Sequence, residues 1–304
     1  MNIIRKTPLL AAMLSMAAVA IHAQQRAITV TSEPNAAVWI DGVRYGTTDK
    51  GGTLNIKTVA AGTHALRLRA DGFKEKTQPL TAAQRGDVKV VLVKTTDEAE
   101  LAFQEGERLS SQDREKSAAA YRQAAKLRPN YPEAYLALAR VLSDAGNLAD
   151  AEKAVVQARK LRPGYAEASA VLGRINKDNG EEEKAVAAFK RAVTEGRGFQ
   201  PEAYAGLGLL YKEKAEAAAG SVDYDGESAA YEESAKNLRS ALKQLSGAPD
   251  AMVIYQLLGL IYERQKKIAE AIATYEEFLR IFPNAPEATA VQSFITQLKK
   301  GGQQ

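Results

Sequence analysis

The residue types that most often carry out chemistry in proteins are scarce in this chain. Cysteine is absent, which excludes thiolate nucleophiles, disulfides, lipid attachment through a cysteine and thiolate metal sites. Only two histidines occur, His22 and His64. His64 alternates in phase with Leu66 and Leu68, so we expect a hydrogen-bonded core residue of a strand and not a metal ligand. A zinc site and Cys/His catalysis therefore have no support.

The acidic run from Asp223 to Glu227 is a further candidate, because it invites interpretation as a calcium loop. It lacks the additional oxygen ligands and the spacing of such a loop, so we expect an exposed acidic turn. No glycine-rich loop follows a strand and opens a helix, so a nucleotide site is not indicated. We predict that the protein is not an enzyme and holds no cofactor or metal. An accessory subunit of an envelope enzyme, or an undetected hydrolase, is the least favoured alternative.

The first 23 residues have the three-part pattern of a secretory signal. A basic start at Arg5 and Lys6 precedes an uncharged apolar run from Pro8 to Ile21, which is short for a membrane span. We predict cleavage after Ala23, with Ala20 as the alternative cleavage point and a retained anchor as the third possibility. No later segment is apolar for long enough to cross a bilayer, so the mature protein is predicted to be periplasmic or secreted.

The distribution of charge divides the chain into two parts. The sequence has 41 basic and 37 acidic residues, a net charge of +4, which is too small and too scattered to indicate a nucleic-acid binder. Residues 24–95 are mildly basic, with 11 basic and 6 acidic side chains, and the remainder is mildly acidic. We predict a signal peptide at 1–23, one domain at 24–95, a second at 96–300 and a disordered tail at 301–304.

The first of these domains has the alternation of apolar and polar residues that is typical of half-buried β-strands. Turn residues such as Asp41-Gly42 and Asp71-Gly72 separate the alternating runs. The pattern predicts a small antiparallel β-sandwich of about six strands. The clearest runs are residues 28–30, 38–40, 54–56, 66–69 and 88–92.

Two groups of residues in this domain resemble the two halves of a PEGA domain. Ser32 to Gly42, followed by Gly46-Thr47-Thr48, is similar to its opening, and Ala61 to Phe73 is similar to its second half. Asn35 stands near the motif glycine of the family, and asparagine is the non-glycine residue that best tolerates a left-handed backbone. The resemblance implies a binding domain of envelope and surface proteins without a catalytic role.

Trp39 is the only tryptophan and alternates out of phase with Val38 and Ile40. We expect its indole to cover the outer face of the sheet or to pack against the second domain. The alternative is a contact with a sugar ring, in a cell-wall glycan site that would also use the basic strand residues Arg67 and Arg69.

Internal repetition dominates the second domain. Leu127-Arg128-Pro129 recurs as Leu161-Arg162-Pro163 after 34 residues, and Pro132-Glu133-Ala134-Tyr135 recurs from Pro201. This period, with small residues at fixed positions, resembles the tetratricopeptide repeat. The resemblance implies an α-helical hairpin solenoid that binds proteins, with about five hairpins and a capping helix. The small positions are occupied by Ala139, Gly173, Gly208 and Gly259.

The fourth repeat departs from this period. About 14 extra residues separate Gly208 from Leu238, relative to the matching positions of the second repeat. We expect two lengthened helices here, with residues 220–226 forming the loop between them.

The resemblance also yields candidate contact residues, because the first helix of each hairpin lines the concave groove of a solenoid. The groove is predicted to begin basic and to become apolar, which suits an extended peptide or a chain end bearing a carboxylate. The alternative is that these charges only solvate the groove. The predicted partner-binding residues are Arg140, Arg174, Lys177, Leu209, Lys212, Leu260 and Arg264.

The leading functional hypothesis is an exported envelope adaptor. The repeats would hold a protein or peptide partner, and the PEGA-like domain would attach to a second partner or to the cell surface. A cell-wall glycan-binding protein is the alternative.

Overall fold

The computed structural model describes residues 26–301, so the predicted signal peptide, its cleavage points and residues 302–304 lie outside the described part. The described part begins with seven strands, which together form a two-sheet sandwich. These are β1 (Arg26–Thr31), β2 (Ala37–Ile40), β3 (Val43–Thr47), β4 (Thr53–Val59), β5 (His64–Arg69), β6 (Lys76–Leu80) and β7 (Gly86–Lys89).

The two sheets have the orders β4-β1-β7 and β3-β2-β5-β6. All pairs are antiparallel except β1–β7, which is parallel, a detail that alternation of residues does not predict. Alternate side chains such as Val30, Val38 and Leu66 are fully buried between the sheets, which accounts for the period of two. Asn35 adopts a φ of +58° in the turn before β2, so asparagine serves there in place of glycine.

Eleven helices follow within the described residues, and the first ten pair as five hairpins. We call α1 to α11 the array. Proline at the first position of α3 and α7 fits the helix start, where an N–H has no partner within the helix. The bounds are α1 (Glu98–Leu109), α2 (Arg114–Leu127), α3 (Pro132–Asp144), α4 (Leu148–Leu161), α5 (Ala166–Asp178), α6 (Glu182–Glu195), α7 (Pro201–Gly220), α8 (Tyr224–Leu245), α9 (Ala251–Arg264), α10 (Ile268–Ile281) and α11 (Ala288–Gly301).

The small residue of each repeat lets the two helices of a hairpin approach closely. Gly259 in α9 lies against the ring of Tyr275 in α10, so closely that a Cβ there would be 2.2 Å from Cε1. Gly173 and Phe189 make the same contact in the third hairpin, where a Cβ would be 2.5 Å from the ring. The small residue recurs with the 34-residue period, so the close approach of the two helices recurs in successive hairpins.

The fourth hairpin is lengthened, but its loop is shorter than the sequence predicts. Only Ser221, Val222 and Asp223 connect α7 to α8. The carboxylate of Asp223 accepts a hydrogen bond of 3.0 Å from the Gly226 N–H, which caps the start of α8. Because of this cap, the residues from Tyr224 to Gly226 form the first turn of α8, where the sequence predicts a loop.

The sandwich is fixed to the first helix of the array by the side chain of Gln104. Its Oε1 accepts a hydrogen bond of 2.8 Å from the Gly72 N–H, and its Nε2 donates to the Phe73 carbonyl at 2.7 Å. The linker adds a hydrogen bond of 2.9 Å from the Thr95 N–H to the Gly72 carbonyl. The sandwich and α1 are therefore joined by backbone and side chain together.

A second contact joins the sandwich to the fourth hairpin of the array. The Tyr45 hydroxyl donates a hydrogen bond of 3.1 Å to the Leu245 carbonyl at the end of α8. Thr58 lies so close to Gly247 that a Cβ on the glycine would be 3.1 Å from the threonine Cβ. The buried apolar core of the sandwich is continuous with that of the last two hairpins. The sandwich thus spans the concave side of the array from the first repeat to the fourth.

The helices of residues 26–301 include none with the length and apolar character needed to span a membrane.

Replacement of Gly259 by alanine tests the packing of the repeats. The added methyl group meets the Tyr275 ring, so we expect the free energy of unfolding to fall by about 1–3 kcal/mol. Gly220→Ala is the matched control, because a Cβ there meets no atom within 4 Å and alanine favours a helix by up to about 1 kcal/mol. Urea unfolding followed by circular dichroism measures both. Equal effects of the two substitutions would contradict this account of the small positions.

Tyr45→Phe tests the contact between the sandwich and the fourth hairpin of the array. Losing the hydrogen bond to Leu245 weakens the contact by about 0.5–1.5 kcal/mol. We expect acrylamide to quench the fluorescence of Trp39, the only tryptophan, more strongly in this variant. Tyr224→Phe is the control, because Tyr224 is 71% exposed. Unchanged quenching in both variants would show that the hydroxyl does not hold the sandwich in place.

Candidate functional site

A large cavity lies between the sandwich and the concave side of the array. We call it the central cavity; its volume is about 1340 Å³. Both domains line it, the sandwich through the outer face of β2, β3 and β5, and the array through α1, α3, α5, α7 and α9. The two surfaces that the sequence treats as separate candidate sites therefore face one space.

The sandwich contributes a row of three side chains that cross neighbouring strands. Trp39 on β2 is directly opposite Arg44 on β3 and Arg67 on β5. The Arg67 guanidinium lies 4.4 Å from the centre of the Trp39 ring, a cation–π contact. We call Arg44, Trp39 and Arg67 the sandwich wall. It is a basic and aromatic surface, and Trp39 is half-buried within it.

Arg69, the neighbour of this row on β5, is only 7% exposed and serves the contact between domains. Its guanidinium pairs with Glu75 of the sandwich and, at 2.6 Å, with Glu107 of α1, and it covers the ring of Phe103 at 4.4 Å. Burial alone would lower the pKa of Arg69, but Glu107 and Glu75 outweigh it and raise the pKa above its ordinary value. Burial raises the pKa of Glu107. Arg69 therefore holds the sandwich and α1 together.

Arg140 is the first predicted groove residue, and it bridges α3 to α7. Its guanidinium donates to both carboxylate oxygens of Glu202, at 2.8 and 2.5 Å. Burial would lower the pKa of Arg140, yet the Glu202 carboxylate raises it. Such a two-bond pair fixes geometry as well as charge, so it sets the distance between the second and fourth repeats.

Arg174 and Lys177 on α5 also line the central cavity, but with weaker partners. Arg174 lies 3.4 Å from the Asp144 carboxylate, and its Nε and Nη2 make no hydrogen bond within the described part of the chain. Lys177 pairs with Glu213 at 2.9 Å. Arg140, Arg174 and Lys177 thus lie along the central cavity, each beside a carboxylate.

The apolar end of the cavity is formed by the array near α7 and α9. Leu209, Val253 and Phe199 are 39%, 65% and 38% exposed, and all three line the cavity. We call them the array wall. Large apolar side chains left this open in one concave surface mark a contact area.

The structure separates the remaining predicted groove residues from the central cavity. Lys212 pairs with Glu216 one turn along α7, and Leu260 and Arg264 are exposed on α9. None of the three lines the cavity.

Of the six residues in the two walls, sequence reasoning missed three, namely Arg44, Phe199 and Val253. Arg44 belongs to β3, a strand that no clear alternating run announced. Phe199 lies in the connection before α7, and Val253 lies two turns before the small-residue position used to choose groove residues. The signal for Arg44 was its place opposite Trp39 in the hairpin after Asp41-Gly42.

The histidine and the acidic turn serve structural roles. His64 contacts the Asp41 carboxylate through Nδ1 at 2.6 Å and the Ala60 carbonyl through Nε2 at 2.9 Å, as expected of a hydrogen-bonded strand residue. Over residues 26–301, no three histidine, aspartate or glutamate side chains converge to hold a metal ion. The lining of the central cavity combines apolar, aromatic, guanidinium and carboxylate groups.

Comparison with known proteins agrees with this architecture. The family model described as tetratricopeptide repeat matches residues 107–154, 136–201 and 220–286, and the PEGA domain model matches residues 26–96. A comparison with curated proteins gave no match.

Solved structures of similar fold include yeast Tom70, 17% identical, covering 68% of this chain and 41% of that one with a TM-score of 0.54. PilW, a widely conserved type IV pilus biogenesis factor, is 14% identical and covers 69% of this chain and 89% of that one, with a TM-score of 0.52. MamA is 22% identical over 64% of this chain and 96% of that one, with a TM-score of 0.43. The chain spans less than half the length of Tom70.

At such identities the solved structures show the fold alone, whereas the repeat model covers more than half of the chain. The predicted sandwich and hairpin solenoid are confirmed. The chain belongs to the tetratricopeptide repeat family and carries a PEGA domain ahead of its repeats.

Proposed function

We propose that this protein is an exported cell-envelope scaffold that binds a protein partner in the central cavity. Tetratricopeptide repeats act as protein-interaction scaffolds, and the fold is typically non-catalytic. The observation that carries the proposal is the array wall, where Leu209, Val253 and Phe199 remain open on a concave surface inside an otherwise packed molecule. A partner that covers these three side chains removes their apolar surface from water, which favours binding.

The size of the central cavity favours a chain segment over a small molecule. Small-ligand pockets usually hold about 300–1,000 Å³, and this cavity holds about 1340 Å³. Segments of protein reach such spaces as extended chains or as single helices. We therefore take the partner to be a protein that inserts a segment, with its folded part outside.

In this proposal the PEGA domain forms one side of the central cavity. Its Trp39 and Arg67 face the array and stack on each other, so they are engaged within the molecule. Attachment to a second partner or to the cell surface would then use the opposite sheet, β4-β1-β7, which bears Lys57 and Lys89. The stacked indole does not favour a cell-wall glycan site.

Photo-crosslinking tests the location of the partner. With p-benzoyl-phenylalanine in place of Leu209, irradiation of the protein in envelope extract of its own organism should give a discrete adduct. The matched control carries the same group in place of Val156, which is 53% exposed on α4, the outer helix of its hairpin. Adducts of equal yield and pattern at both positions would rule out binding in the cavity.

Export is tested by the N-terminus of the protein in its native cells. The proposal of export rests on the basic Arg5 and Lys6, the apolar run that ends at Ile21 and the small Ala23. We expect the periplasmic or secreted fraction to contain a chain that begins at Gln24, as N-terminal sequencing would show. A chain that starts at Met1 and stays in the cytoplasmic fraction would contradict export.

A further inference from the structure

Within residues 26–301 the two sheets of the sandwich end in four edge strands, β3, β4, β6 and β7. β3 and β4 lie against the array through Tyr45 and Thr58. β6 carries Pro79, which has no N–H to offer to a further strand. β7 contains no proline, and among the described strands it pairs only with β1. Its outer edge is therefore a template for a further strand.

The backbone of β7 directs three N–H groups to this outer edge. The Val90 N–H donates a hydrogen bond of 2.9 Å to the Thr31 carbonyl of β1. Because successive residues of a strand point their backbone groups to opposite sides, Asp87, Lys89 and Val91 point theirs away from β1. Over the described residues, the N–H and carbonyl groups of Asp87 and Lys89 and the N–H of Val91 make no hydrogen bond. We call these five groups the open edge.

Exposed valines continue the outer side of the same strand. Val91 and Val93 are 58% and 66% exposed, and β-branched residues favour pairing in sheets. The open edge ends at this point, because the Val91 carbonyl accepts a hydrogen bond of 3.1 Å from the Lys76 amino group and the Val93 carbonyl accepts one of 2.8 Å from the Lys74 N–H. A strand added beside residues 87–91 would cover Val91.

The chain around the open edge is basic. Residues 74–94 contain five cations and only two carboxylates, Glu75 and Asp87. Glu75 pairs with Arg69 of the other sheet, and the next carboxylate along the chain, Asp97, lies beyond the open edge at the start of α1. In the part of the chain that the structure describes, none of the five cations has a carboxylate within 4 Å. They are Lys74, Lys76, Arg85, Lys89 and Lys94.

Two guanidinium groups converge at the start of the open edge. Arg26 and Arg85 each donate a hydrogen bond of 2.7 Å to the same acceptor, the Ala82 carbonyl. Burial, and then the positive charge of Arg85, lower the pKa of Arg26 below its ordinary value. A carboxylate brought by a ligand would offset the repulsion between these two cations.

We propose that the open edge binds an extended, acidic segment of a partner protein, which joins the sheet β4-β1-β7 as a fourth strand. The segment's backbone pairs with Asp87, Lys89 and Val91, and its carboxylates face Lys89 and Arg85. A second copy of this chain is disfavoured at this edge, because it would bring the same cations face to face. The proposal rests on the second attachment in the proposed function, for which it names the site and the partner's chemistry.

The test uses the whole mature protein and dye-labelled heptapeptides with blocked ends. One peptide alternates glutamate and valine, and a second has lysine in place of each glutamate. Two further versions of the first carry N-methyl groups on alternate amides, at the even or at the odd positions. Fluorescence anisotropy measures their binding.

We expect the glutamate peptide to bind and the lysine peptide not to bind. One N-methylated version should lose binding and the other keep it, because only one set of amides in an extended strand faces the open edge. Failure of the glutamate peptide to bind, preference for the lysine peptide, or equal binding of the two N-methylated versions would overturn the proposal.

A charge reversal then locates the peptide on the sheet. Lys89→Glu should weaken binding of the glutamate peptide roughly tenfold, because it replaces a cross-strand attraction by a repulsion. Lys57→Glu is the matched control, since Lys57 is exposed on β4, at the other side of the same sheet. Equal losses in the two variants would show that the peptide responds only to overall charge, and the proposal would be wrong.

Two further outcomes separate this inference from other accounts. If sedimentation shows a dimer of the free protein that the glutamate peptide dissociates, a second copy occupies the open edge and the proposal fails. If position 209 gives its crosslinked adduct while no peptide binds at the open edge, the cavity function stands and this inference is wrong. Peptide binding without an adduct at position 209 would leave this inference standing and contradict the cavity function.

Discussion

The placement of the sandwich depends on one buried guanidinium, that of Arg69. With 7% of its surface exposed, it needs carboxylate partners, because a buried unpaired charge costs several kcal/mol. It takes partners from both domains, Glu75 from the sandwich and Glu107 and Glu100 from α1. Since the linker and Gln104 hold the same two parts together, the sandwich cannot rotate on α1 without breaking this cluster. The central cavity exists because the sandwich is held over the groove in this way.

The array supplies the second constraint, through the distance between its helices. Where Gly259 meets Tyr275 and Gly173 meets Phe189, the absence of a side chain sets how closely two helices approach. The Arg140–Glu202 pair adds a link across repeats, and Tyr45 ties the fourth hairpin to the sandwich. A solenoid is otherwise held only by contacts between neighbours. Because these links join repeats that are not neighbours and join the sandwich to the array, the width of the cavity depends on both domains.

Most of the fold could be predicted from the sequence because its signals are local and periodic. The 34-residue repeat and the alternation around Val30 and Leu66 report helix and strand faces directly. The parallel pairing of β1 with β7 could not be predicted, since residues at opposite ends of the domain meet only after folding. The start of α8 at Tyr224 was also missed, because the capping carboxylate of Asp223 outweighs the two glycines that suggested a loop.

The residues of the candidate site were likewise predictable only where the sequence signal is local. Arg140, Arg174, Lys177 and Leu209 follow from the repeat register, and the structure places them in the cavity. The register alone also selected Leu260, which lies outside it, because the register carries no information on where another domain covers the groove.

Since the sandwich and the array each form one wall, any ligand that contacts both must favour the docked arrangement over a separated one. By linkage, anything that strengthens docking must then strengthen ligand binding by the same factor. Gln104 and Tyr45 lie outside the cavity, yet together with Arg69, which lines it, they make the contacts that set the docking free energy. The affinity of the cavity is therefore governed partly by residues outside it, so the two domains form one binding unit.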